Sequence, residues 1–127
     1  MRPTIVWPIL AALAAALLLA PTLAAKDGRD IRVAGTCSAS TTSKLKLSPE
    51  DGGIEVEFEV DQNRDGVRWG VVLFRNGTKV GSRTHVTRAP SGSFESRFVT
   101  GNRAGVDRFV ARATRSGEVC TARASIQ

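Results

Sequence analysis

Asp61, Asn63, Asp65 and Gly66, within "EVDQNRDGVRWGV" at residues 59–71, have the D-x-N-x-D-G spacing that opens a calcium-binding loop. Oxygen-bearing side chains at alternate positions can surround a hard cation, and the glycine allows the bend. A complete loop also needs a bidentate carboxylate at its twelfth position, which counted from Asp61 is Val72. The ninth position is Trp69, and Arg64 puts a positive charge among the would-be ligands. Glu59 is near enough in sequence to supply a last ligand if the loop joins strands rather than helices. Asp, Asn and Gly are equally the residues a tight connection selects, for side-chain-to-backbone bonding and positive φ. A plain turn accounts for every residue with no ligand missing. It is therefore the expectation, and Ca2+ held by Asp61, Asn63 and Asp65 is the alternative.

Other reactive side chains are few. His85 is the only histidine, and sequence spacing puts no serine or cysteine beside it for nucleophilic catalysis. Glu55, Glu57 and Glu59 alternate along one strand, so they share a flat face, whereas a glycosidase pair must flank a cleft. Lys44 and Lys46 are expected opposite them, with Arg97 near, which reads as a solvated face with cross-strand pairing. "NGT" at residues 76–78 matches a glycosylation acceptor, but a hairpin turn already explains its Asn and Gly. The expectation is a protein that is not an enzyme.

The elements carrying these residues are short strands. In "GIEVEFEV" Ile54, Val56, Phe58 and Val60 fall on one side and three glutamates on the other, the period of a half-buried strand. "SKLKLS" repeats this with Leu45 and Leu47 inward, and "PEDGG" joins the two. "VRWGVVLFR" meets Asn76-Gly77, a two-residue hairpin signal. Read literally, that turn pairs Leu73 with Val80, Trp69 with Thr84 and Val67 with Val86 inside. Outside it pairs Phe74 with Lys79 and Arg68 with His85. "SFESRFV" places Phe94 and Phe98 inward. "DRFVARAT" and "VCTARASI" form a last hairpin in which Phe109, Ala111 and Ala113 face Ala124, Ala122 and Cys120, and Arg115 faces Glu118. With a first strand over residues 31–37, the prediction is an all-β antiparallel sandwich of seven to eight strands.

The strand order, the Trp on the third long strand and the penultimate "AGVDRFVARA" resemble an immunoglobulin-like or fibronectin type III-like sandwich. The chain is also similar to small exported actinobacterial proteins with no assigned activity. Two features depart from the pattern. Cys37 lies 32 residues before Trp69, with Ala111 where a second inter-sheet cysteine belongs, and there is no tyrosine. The resemblance, with these departures, implies a disulfide from the first strand to the last.

Bulk properties set the compartment. Met1-Arg2, the apolar "ILAALAAALLLA" and the small residues of "PTLAA" form a secretory signal peptide over residues 1–25, cut after Ala24 or Ala25. The run falls short of the roughly 20 apolar residues of a membrane span, so no stable insertion is expected after cleavage. Residues 26–127 then make one domain of 102 residues, and Cys37 and Cys120 one disulfide of a secreted protein. Charge is unevenly placed: residues 50–65 hold seven acids and one base, and residues 66–127 eleven bases and three acids. In the expected sandwich order, Arg68, Phe74, Lys79, Arg83, His85, Arg108, Arg112 and Arg123 face outward together with Val72 and Val110. Arginine beside an aromatic is what interface centres favour. The expected function is a secreted binding module that docks an anionic cell-envelope polymer or acidic protein on this face. A calcium-stabilised structural module, a small hydrolase and an inhibitor presenting "RAPSGS" are the alternatives. Nucleic acid is disfavoured because only Phe74 offers a stacking platform.

Overall fold

A computed structural model of the chain describes residues 28–127. The signal peptide expected over residues 1–25, with its cleavage point, lies outside the described residues. Nine strands form two antiparallel sheets packed as a sandwich. They are β1 (Ile31–Ala34), β2 (Thr36–Cys37), β3 (Thr42–Glu50), β4 (Gly53–Asp61), β5 (Arg68–Arg75), β6 (Thr78–Val86), β7 (Ser93–Gly101), β8 (Asp107–Arg115) and β9 (Glu118–Ile126). One sheet runs β1-β3-β4-β7 and the other β2-β9-β8-β5-β6. The count exceeds seven or eight because the first strand is two. At Gly35 the chain passes from one sheet to the other, so close to its neighbours that a Cβ would lie 2.1 Å from Ser43 Oγ and 2.9 Å from Thr121 O.

Alternation places the core as the sequence pattern requires. Leu45, Leu47, Ile54, Val56, Phe58 and Val60 are fully buried from one sheet, and Trp69, Leu73, Phe109, Ala111 and Ala113 from the other. Fully covering a large apolar side chain is worth about 1.5–3 kcal/mol, so this two-period pattern determines which face of each strand turns inward. Trp69 lies 6.3 Å from the Phe94 ring, and its indole N–H donates to Gln62 Oε1 at 3.1 Å, so the large ring enters the core with its polar atom satisfied. Asp51 and Gly52, both at positive φ, turn β3 into β4. The last hairpin has the expected register from Phe109–Ala124 to Arg115–Glu118. The disulfide Cys37–Cys120 joins directly paired residues of β2 and β9, tying the start of the domain to its end.

The β5–β6 hairpin corrects the register. Asn76 and Gly77 both have positive φ, as a type I′ turn requires, and Phe74 pairs with Lys79. Beyond that pair the ladder slips by one residue: Leu73 faces Gly81 rather than Val80, and Trp69 faces His85 rather than Thr84. The cause is packing. A Cβ on Gly81 would already lie 3.3 Å from the Phe98 ring, so the space opposite Leu73 is taken by Phe98. Val80 is left as the extra residue of a bulge and stays 39% exposed. Every side chain of β6 after the bulge therefore changes face.

Candidate functional site

The outer face of the five-stranded sheet is read from its cross-strand rows. One row runs Lys79, Phe74, Val110, Arg123, and the next Ser82, Val72, Arg112, Thr121. Arg68 pairs with Val86 at one end of β5, and Arg108 with Ser125 at the start of β8. At strand spacing, Lys79 and Arg123 stand about 14 Å apart across the sheet, and Arg108 and Arg112 about 14 Å apart along β8. Four cations thus surround the half-buried pair Phe74–Val110, with Arg68 beyond. No Asp or Glu points outward from these strands: Asp107 and Glu118, their only acids, are buried inward. Arg68, Lys79, Arg108, Arg112 and Arg123 make no side-chain ion pair or hydrogen bond among the described residues.

The opposite sheet shows what a self-neutralised face looks like. Lys46 meets Glu57 at 2.8 Å, and Arg97 reaches Glu57 at 2.8 Å, Glu55 at 3.4 Å and Glu95 at 3.7 Å. Lys44 lies 3.7 Å from Glu59. The hydrogen bond from Lys46 holds the Glu57 carboxyl below its usual range, while the one shared with Glu57 raises Glu55. Charge on this sheet is used within the sheet. On the other it faces solvent.

Two of the expected face residues lie elsewhere. The bulge turns Arg83 and His85 to the inner side of β6, at the seam with β7. Arg83 lies over the Phe98 ring at 4.5 Å, and His85 stacks on Phe94 at 5.0 Å with the planes 6° apart. Inward-pointing charge on a bulged edge strand discourages edge-to-edge pairing with another chain. His85 Nε2 lies 2.9 Å from Ser96 Oγ, a pairing that sequence spacing did not show. Ser96 is fully buried, so its hydroxyl is closed to a substrate. Burial, and secondarily Arg83, hold the imidazole below its ordinary pKa.

The D-x-N-x-D-G segment forms a clamped turn. Asn63 N–H donates to Asp61 Oδ1 at 3.0 Å, and Asn63 and Gly66 have positive φ. Thr87 holds both ends: its hydroxyl donates to Arg64 O and accepts Val67 N–H, and Gly66 N–H donates to Thr87 O. Asp61, Asn63 and Asp65 join no cluster of three or more Asp, Glu, His or Cys suited to a metal among the described residues.

Arg75 falls in none of the sequence motifs. It is 5% exposed and forms a two-point ion pair with Asp107, which is 1% exposed. Arg75 Nη1 also donates to Gly101 O at 2.6 Å, joining the sheets behind the basic face. The Asp opening "DRFVARAT" was the available signal. Glu118 likewise accepts from the Thr41 hydroxyl and from Arg115 Nε, and these bonds, Thr41 first, hold its carboxyl below the usual range.

The disulfide is compatible with an extracellular location, and no helix among the described residues is long and apolar enough to cross a membrane. Compared with family models, curated proteins and solved structures, the chain matches none.

Proposed function

We propose that the protein is a secreted, non-enzymatic binding module that docks an anionic cell-envelope polymer or an acidic protein on the outer face of its five-stranded sheet. The observation that carries this reading is the contrast between the two faces. One pairs its charges internally, and the other presents Arg68, Lys79, Arg108, Arg112 and Arg123 with no acid among them. Solubility alone would not place Phe74, Val72 and Val110 between these cations. Four of the five are arginines, whose planar fork suits carboxylate or phosphate groups. The N-terminal leader pattern and the disulfide support export.

Retention on immobilised polyglutamate and on a phosphate-bearing glycan, measured across salt concentrations, tests the reading. Affinity that falls steeply as salt rises supports it, because an exposed charged surface is screened at a Debye length of about 8 Å in physiological salt. Weak retention at every salt concentration on both polymers contradicts it.

A further inference from the structure

The edge of β9 is covered along only part of its length. β2 pairs only with Cys120 and Thr121, because the chain leaves for the other sheet at Gly35. Ser38 N–H donates to Val119 O, and Val119 N–H to Ser38 Oγ, so the peptide groups of Val119 point away from β8. Alternation along a strand gives the same direction to Arg123 and Ser125. On that side neither has a backbone partner among the described residues. Their N–H and C=O groups form an open edge over residues 122–126. Beside it runs a groove of about 550 Å³ lined by Ile31, Val33, Val110, Arg108 and Arg123, with no carboxylate.

We infer that this open edge of β9 accepts an extended acidic segment of a partner protein as an added strand. Alternating backbone donors and acceptors are matched along their length by another backbone, which is how a strand joins a sheet edge. The side chains of an added strand alternate between two faces. Those on the outer face come beside Arg123 and Arg108, where carboxylates are favoured. Those on the inner face reach Ile31 and Val33, which are only partly buried at the rim of the core and favour apolar groups. The segment therefore alternates acidic and apolar residues. A second copy of this chain is a poor occupant, since β9 against β9 would gather two Arg123 and two Arg108 side chains at one seam. The inference rests on the basic face as the docking surface, because Arg108 and Arg123 belong to both, and it narrows the partner to an acidic protein.

The test is titration of the isotope-labelled exported protein with an alternating valine–glutamate hexapeptide with blocked ends, read by amide shifts and amide exchange. The expected result is protection centred on Arg123 and Ser125. Binding should weaken about tenfold or more when the peptide is N-methylated at alternate residues, since those groups can no longer donate to the β9 backbone. Ser125→Pro removes an N–H directed to the open side and spares the β8 ladder, and it should weaken the peptide similarly. Arg68→Glu/Arg112→Glu should release polyglutamate and weaken the peptide through charge alone, leaving its protection centred on Arg123 and Ser125 and its loss on N-methylation unchanged. Equal binding of the N-methylated peptide, or shifts centred on Arg68 and Arg112, would overturn the edge and leave the basic face standing. Protection of Arg123 and Ser125 without peptide, growing with protein concentration, would make the occupant a second copy and overturn the inference. Failure of both peptide and polyglutamate would overturn the basic-face reading along with it.

Discussion

Arg75 and Asp107 meet through two parallel hydrogen bonds, Nε to Oδ1 at 2.8 Å and Nη2 to Oδ2 at 2.7 Å, in a site almost closed to water. Asn76 Nδ2 also donates to Asp107 Oδ1, and Asn76 Oδ1 accepts Arg108 N–H, so the pair connects the β5–β6 turn to the start of β8. Removing one partner leaves an uncompensated buried charge. Arg75→Met or Asp107→Asn should each cost roughly 3–5 kcal/mol in urea unfolding, and the double variant Arg75→Met/Asp107→Leu less than either. A double variant as unstable as the sum of the singles would show that the two side chains contribute independently and not as a coupled pair.

His85 should give stability a slope near neutrality. Its folded pKa lies below the ordinary value near 6.5, chiefly through burial against Phe94 and Ser96 and then through Arg83. At pH values between the two, the unfolded chain binds more protons than the folded one, so stability falls as pH drops through that window and is flat above about 6.5. His85→Gln should flatten the slope. Melting temperatures between about pH 5 and 8 for both proteins would reveal it, and parallel curves would remove His85 as the cause.

The Cys37–Cys120 bridge spans 83 residues of sequence. In the chain-entropy model a loop of that size contributes on the order of 4 kcal/mol, a large part of the stability of one small domain. Cys37→Ala/Cys120→Ala, or a reducing agent, should lower the urea midpoint by an amount consistent with such a loss. An unchanged midpoint would mean that strand pairing alone holds β2.

Calcium should have no effect on melting. The Asp61 carboxylate already caps the turn through Asn63 N–H, and Thr87 takes the Arg64 carbonyl. Asp61→Ala should cost about 1 kcal/mol, the worth of one such hydrogen bond, equally in calcium and in chelator. A melting temperature raised by several degrees in calcium alone would instead make this loop a cation site.

Much of the fold was legible because burial is periodic. The alternation in "GIEVEFEV" and the register around Ser116-Gly117 led directly to the observed inner faces and pairs. The β6 register was not, because it depends on Phe98, which comes from the other sheet and fills the space above Gly81. A glycine inside a strand pattern was the local sign of a bulge, but its direction is a tertiary fact. The same slip moved Arg83 and His85 off the basic face while Arg68, Phe74, Lys79, Arg108, Arg112 and Arg123 stayed on it. Asp107 opening a strand was a signal, but its pairing with Arg75 was hidden for the same reason: 32 residues of sequence separate two charges that only the folded sheets bring together.

On the proposed reading, position on one face, rather than net charge, confers binding. Two variants with the same change in charge separate these: Arg68→Glu/Arg112→Glu on the five-stranded sheet, and Lys44→Glu/Arg97→Glu on the four-stranded one. Each is tested against immobilised polyglutamate at low and physiological salt, with folding checked by circular dichroism. The first variant should lose at least about tenfold in affinity and the second keep wild-type binding within about twofold. Equal loss in both would reduce the interaction to overall charge, and loss only in the second would move the site to the other sheet.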